Sequence, residues 1–165
     1  MFIQGLLDIA RAHDPSAAGA RRVAFKDYPL ADFATVAVMV ARTVFPHLPL
    51  RAALREVGRS TYRAFLASLT GRVVFGVLGS DLHKMIATTT RAYGLTQSHG
   101  RAVVLETSKS HCLLRYEQLH QFLDALEVGV VEEAVSSCGY DVDISLQLES
   151  LHTGLMLVRF RPSPS

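Results

Sequence analysis

The chain is 165 residues long, 49% hydrophobic and 19% charged, with a formal net charge of +2. That length fits one domain with a proper core, the charge is too small to call for nucleic acid, and two cysteines, Cys112 and Cys138, make no disulfide framework. No stretch approaches the roughly 18 uncharged apolar residues of a membrane span, and the N-terminus reads as a poor signal peptide, so a cytoplasmic location is the expectation.

Phe2 to Ala12 has enough apolar residues for a short helix, and Pro15 to Ala20 reads as a connection. FKDYP at Phe25 to Pro29 starts the next element, with Pro29 suited to a first helical turn. Leu30 to Phe45 is apolar almost all round, which predicts a helix buried on most sides. Pro46 and Pro49 stop it and start another. Leu50 to Leu69 is the clearest amphipathic helix. Leu50, Leu54, Val57, Thr61, Phe65 and Leu69 form its core stripe, and Arg51, Arg55, Arg59 and Arg63 form an i, i+4 ladder on another face. Gly58 weakens its middle by roughly 1 kcal/mol relative to alanine, which points to a close helix contact.

Gly71 to Gly79, GRVVFGVLG, reads as a short buried helical segment, because three glycines argue against a regular strand. Ser80 or Asp81 then caps a helix to about Tyr93, with Leu82, Met85, Ile86 and Tyr93 inward. Ala102 to Thr107 and His111 to Gln118 form a hairpin across a polar SKS turn. Leu119, Phe122, Leu123, Leu126, Val130 and Ala134 recur at helical spacing, while Glu127, Glu132 and Glu133 fall elsewhere. Gly139 suits a C-cap. Val142, Ile144, Leu146 and Leu148 alternate with polar residues as a strand, and Leu155 to Arg161 returns as another. The expected fold class is α/β (α+β): one domain over residues 1–165, with an N-terminal helix and connection at 1–24, a helical layer at 25–93 and a β-β-α-β-β half at 101–162. The helices pack on a mainly antiparallel sheet.

Several segments resemble a family of uncharacterised proteins abundant in myxobacteria. They are FKDYPLADF at 25–33, FPHLPLRAALREVGRSTYRAFLASLTGRVVFGVLG at 45–79, RAYGL at 91–95 and VGVVEEAVSSCG at 128–139. More distantly, the G-x-x-E helix, the turn at Gly154 and the closing FRP look like a wider group of α/β domains. That group includes the 4-vinyl-reductase domain, the TRAPP subunits and the haem-NO-binding-associated domains. The resemblance implies a sensory, acyl-binding or gas-sensing role. The 4-vinyl-reductase zinc site does not carry over, since only Cys138 stands near that region. The haem branch uses a proximal histidine with a partner motif that has no match here.

The remaining candidates are sparse. The arginine ladder suits an acidic protein partner, through arginine's planar fork; Arg55 and Arg59 are expected to point to solvent, and a plainly solvated face is the alternative. Phe33, Val40, Phe65, Phe75 and Leu126 are candidates to line an apolar pocket. His120 and Asp124, at i, i+4, are too few for a metal and fit a local hydrogen bond instead. His111 and Cys112 point to opposite faces of a strand and cannot pair. His13, His47, His83, His99 and His152 show no ligand spacing, so neither metal nor other cofactor is expected. Phosphate-loop, G-x-S-x-G and H-E-x-x-H motifs are absent, and Glu132 and Glu133 diverge as helix neighbours. The expected function is a non-enzymatic regulatory or sensory module that binds an apolar small molecule or a protein partner as a homodimer. A pure adaptor is the runner-up, and a haem or metal sensor comes third. A strand apolar on both faces, Leu155 to Arg161, carries the homodimer expectation.

Overall fold

The computed structural model describes residues 2–13, 29–68, 72–73, 81–96 and 100–164. Three helices form the N-terminal layer: α1 (Phe2–His13), α2 (Leu30–Val44) and α3 (Leu50–Ala67). Leu6, Leu7 and Ala10 of α1 are buried against α2 and α3. In α2, Phe33, Val36, Ala37, Val40 and Ala41 form one buried stripe, while Val38 and Met39 are half-buried and Ala31, Thr35 and Arg42 exposed. The helix is thus covered along one side, less than its composition predicts. Pro29 and Pro49 sit immediately before α2 and α3, where a missing N–H costs nothing. The buried face of α3 is Ala53, Leu54, Val57, Gly58, Thr61 and Tyr62; Leu50, expected in the stripe, is exposed at the first turn. Of the expected segment Gly71 to Gly79, Arg72 and Val73 are described. They are helical but exposed, Val73 by 62%, so burial is not what these two show.

Helix α4 (Leu82–Thr96) is capped by Asp81, whose Oδ1 accepts the Lys84 N–H at 3.1 Å. Leu82, Met85 and Ile86 are buried among residues of a four-stranded sheet. Its strands are β1 (Arg101–Thr107), β2 (His111–Glu117), β3 (Tyr140–Ser150) and β4 (Thr153–Pro162), in spatial order β1-β2-β4-β3 and all antiparallel. The period of two puts Cys112, Leu114, Tyr116, Met156, Val158 and Phe160 on the covered face. Leu113 opposes Leu157 on the other face. The β1–β2 register slips between Val104 and Glu106. This bulge puts Leu105 and Glu106 together opposite Leu113, on the outer face.

Between β2 and α5 (Val128–Ser136) the expected continuous helix is broken. Gln118 and Phe122 have positive φ, and Leu123–Glu127 forms a π turn in which Glu127 N–H reaches the Phe122 carbonyl. The helical spacing holds only from there onward. Gly139 ends α5 with φ +84° and donates to the Ser136 carbonyl, as its capping role requires.

The buried residues fall into two clusters. One lies in the helical layer and includes Leu6, Phe33, Val40, Leu54, Val57 and Leu126. The other lies between the sheet and the helices on it, with Tyr62, Met85, Cys112, Tyr116, Leu123 and Val135. Helix α3 supplies Ala53, Leu54 and Val57 to the first and Tyr62 to the second.

Candidate functional site

The two clusters meet where α3 crosses α5 and its π turn. A Cβ on Gly58 would overlap the Leu126 carbonyl oxygen and come within 3.0 Å of the Val130 nitrogen. A Cβ on Gly129 would overlap the Arg55 carbonyl oxygen and lie 3.1 Å from the Arg59 nitrogen. Backbone therefore touches backbone, which only residues without side chains permit. The contact anticipated at Gly58 is present, and Gly129 is its counterpart.

The arginine ladder flanks this crossing, and its acids come from the same chain. Arg55 donates from Nε to Glu132 Oε2 at 2.7 Å and from Nη2 to Glu132 Oε1. Arg59 reaches the same Oε2 from Nη2 at 2.9 Å and bonds Glu56 from Nη1 at 2.8 Å. Arg63 pairs with Glu133 at 2.7 Å, and Arg51 with Asp124 at 3.2 Å. Arg55 and Arg59, expected to point to solvent, keep 45% and 33% of their side chains exposed, but both are paired with Glu132, a buried carboxylate of α5, and Arg59 with Glu56 as well. The reason is geometric. The close crossing brings α5 within reach of an arginine on every turn of α3. Burial pushes the Glu132 carboxyl up, but Arg55 and Arg59 together outweigh it and hold it below the usual carboxylate range. The hydrogen bond that Arg55 donates to Glu132 in turn raises Arg55.

Glu132, Glu133 and Asp124 are the residues that sequence reasoning did not join to the ladder. Two of them were assigned to a polar face, yet Glu132 is buried, as is Glu127 in the π turn. A legible signal was the recurrence of acids over 124–133.

The candidate pocket residues are only partly brought together. Phe33, Val40 and Leu126 share the helical-layer cluster. Phe65 is half-buried against the other cluster, and Phe75 lies outside the described residues. His120 packs against His152 with ring centroids 3.8 Å apart and the rings tilted, and Asp124 pairs with Arg51. His111 sits on the outer face with Nε2 2.9 Å from Glu106 Oε1 and Nδ1 2.7 Å from Ser108 Oγ. Cys112 beside it points into the core, where burial pushes its thiol up to about 11. Cys138 is half-buried, and burial pushes it up as well. Among the described residues no three histidine, cysteine, aspartate or glutamate side chains group around a point that could hold a metal. No described helix is long and apolar enough to cross a membrane.

Comparison with solved structures places the fold. An H-NOX protein from K. algicida, Fe(II) unliganded, matches with TM-score 0.72 and 9% identity over 99% of this chain and 97% of that one. An H-NOX protein from S. oneidensis in the Fe(II)NO state matches with TM-score 0.64 and 15% identity, covering 96% and 99%. A structure concerned with haem redox potential and porphyrin distortion gives TM-score 0.67 and 14% identity, covering 99% and 92%. The architecture is thus that of an H-NOX-like α+β domain. In sequence, the family model described as a protein of unknown function (DUF2378) matches residues 3–156, and the chain belongs to that family. No curated protein matches it in sequence.

The fold raises the question of haem. An axial imidazole must stand inside an apolar cavity. Among the described residues, His13, His47, His83 and His120 are exposed, and His111 and His152 are half-buried at turns. His83, on the helix that covers the sheet, lies 3.0 Å from Thr107 Oγ1 and packs edge-on against Phe160. Among the described side chains of α4, the buried ones, Leu82, Met85 and Ile86, include no histidine. The described histidines do not fit a haem axial ligand.

Proposed function

We propose that this chain is a non-catalytic regulatory or sensory module that takes an apolar small molecule within an H-NOX-like fold and works as a homodimer. The observation that carries this reading is the division of the interior. Two apolar clusters are strung along α3, and Phe65 and Leu66 on its C-terminal half remain only half-buried against the second. Apolar side chains left half-covered beside such a cluster offer surface to an apolar guest. Support also comes from the fold, whose solved neighbours are named for haem and gas ligation, though here the described histidines argue for a guest that needs no axial imidazole.

Native mass spectrometry of the chain purified from its host tests the reading. A bound apolar molecule of constant mass, displaced by Phe65→Trp or Leu66→Trp, is the expected result. A chain that carries nothing, and whose melting temperature does not move with saturated fatty acids of graded length, refutes ligand binding and leaves the adaptor role. A stoichiometric Soret band after haem reconstitution refutes the haem-free form.

A further inference from the structure

The outer face of the sheet has a composition that sets it apart from a plain solvated surface. Val103, Leu105, Leu113, Leu155 and Leu157 form its middle. Leu105 is 55% exposed and Val103 39%. The bulge at Val104/Glu106 is what turns Leu105 outward beside Leu113. A strand row apolar on both faces is ordinarily covered on both, and the helices cover one.

Charged groups flank this strip, Arg115 stands within it between Val103 and Leu155, and all of them are paired with one another. Arg101 Nε bonds Glu117 at 2.6 Å, and Arg115 reaches across β4 to hold Glu149 with Nη2 2.8 Å from Oε2. Arg159 lies 3.2 Å from Asp143, Arg161 3.5 Å from Asp141, and His111 2.9 Å from Glu106. Four arginines thus meet five carboxylates, a formal charge of −1 on the face of a chain whose net charge is +2. A strongly charged occupant finds no complement there. An occupant must instead present apolar side chains among charges already neutralised by their own pairs, Arg115 with Glu149 included, and a second copy of this face does so.

We infer that two copies of this chain pack outer face to outer face about a two-fold axis, burying Val103, Leu105, Leu113, Leu155 and Leu157. The inference is independent of the ligand reading: it concerns the opposite side of the sheet. The geometry is adequate. Four strands at about 4.8 Å spacing and roughly 23 Å of common length present a face on the order of 450 Å² in projection. With side-chain relief and the rim, that approaches the roughly 800 Å² per partner of a standard interface. The contact is isologous, so Leu105 and Leu157 of each copy meet the same strip in the other and no further surface is left to propagate a fibre.

Sedimentation velocity over a concentration series tests it on the full chain. The wild type should sediment as a dimer at tens of micromolar. Leu105→Glu and, separately, Val103→Glu should weaken association at least tenfold, with melting temperatures near wild type because both side chains are substantially exposed. Ala31→Glu, on the far side of the helical layer, should change nothing. The dimer should persist in 1 M NaCl, since the strip rather than the rim holds it. A monomer at all concentrations, whether bare or bound to phosphatidylcholine vesicles through this face, overturns the inference. So does a dimer indifferent to both substitutions, or one dissolved by salt.

Discussion

Gly58 and Gly129 lie against one another's helical turns: Gly58 faces the backbone between Leu126 and Val130, and Gly129 the backbone between Arg55 and Arg59. The two contacts are reciprocal, and they fix both the distance and the register of α3 on α5. The ion pairs follow from that register. Arg55 and Arg59 converge on Glu132, and Arg63 falls opposite Glu133.

Alanine at either position should therefore be destructive. In an isolated helix the change would stabilise by about 1 kcal/mol. Here the methyl meets backbone, which cannot rotate aside, and overpacking costs typically 1–3 kcal/mol and occasionally more. We expect Gly58→Ala and Gly129→Ala each to lose about 3 kcal/mol in urea unfolding. A neutral result at both sites would refute the close crossing.

Gly139 offers the opposite case. A Cβ there meets nothing within 4 Å, but its φ is +84°. Only backbone strain opposes a side chain, so Gly139→Ala should cost about 1 kcal/mol, and Gly139→Asn less. The contrast with Gly58 separates a steric glycine from a conformational one in a single denaturation series.

Glu132 is held in its charged form, so it binds a proton more readily unfolded than folded. Stability from the clasp is then fully present above the ordinary carboxylate range and drains away as pH falls through the lowered folded value. Glu132→Gln should cost about 1–3 kcal/mol at pH 7, because two arginines lose a buried partner while remaining partly solvated. It should also flatten the acid limb of the stability curve. A variant with an unchanged acid limb would show that Glu132 does not carry it.

Charge reversal distinguishes an internal clasp from a free surface. Arg59→Glu alone should destabilise, through repulsion with Glu132 and Glu56. Arg59→Glu combined with Glu132→Arg should recover part of the loss, as a coupling of order 1 kcal/mol in a double-mutant cycle. Strict additivity would show that the two residues do not interact.

Thiol chemistry reports the sheet core. Burial pushes Cys112 up to about 11 and also raises Cys138, which is only half-buried. At pH 7.5 Ellman's reagent should titrate one thiol slowly in the native protein and the second only on unfolding. Cys138→Ser should abolish the native phase. Its persistence would place Cys112 within reach of solvent.

The sheet was the most legible part of the chain. Alternation in Val142 to Leu148 and the paired faces of Leu155 to Phe160 are local patterns, and local periodicity specifies which face is wet. The helix onset before α5 was not legible. Apolar spacing runs unbroken from Leu119, yet Leu119 N–H donates to the His152 carbonyl at 2.8 Å and Arg51 Nε to the Asp124 carbonyl at 3.1 Å. Distant groups thus hold the backbone out of helical dihedrals and leave Phe122 at positive φ. The ladder's partners on α5 and the π turn were not legible for the same kind of reason. Its arginines are visible as a stripe, but apart from Glu56 the acids that pair with it are 70 to 77 positions away. A charge stripe reads as unpaired until the crossing that brings acids to it is known.

A side-chain contact yields under load, because a rotamer can turn and a neighbour can follow. The crossing of α3 and α5 has no such compliance: carbonyl and amide meet Cα, and no torsion lies between them. The helical layer and the sheet are therefore coupled in series through a stiff joint. Neither should open alone, and the amides of Val57 and Val131, on opposite sides of that joint, should exchange their hydrogens only together, in the same rare event that unfolds the whole.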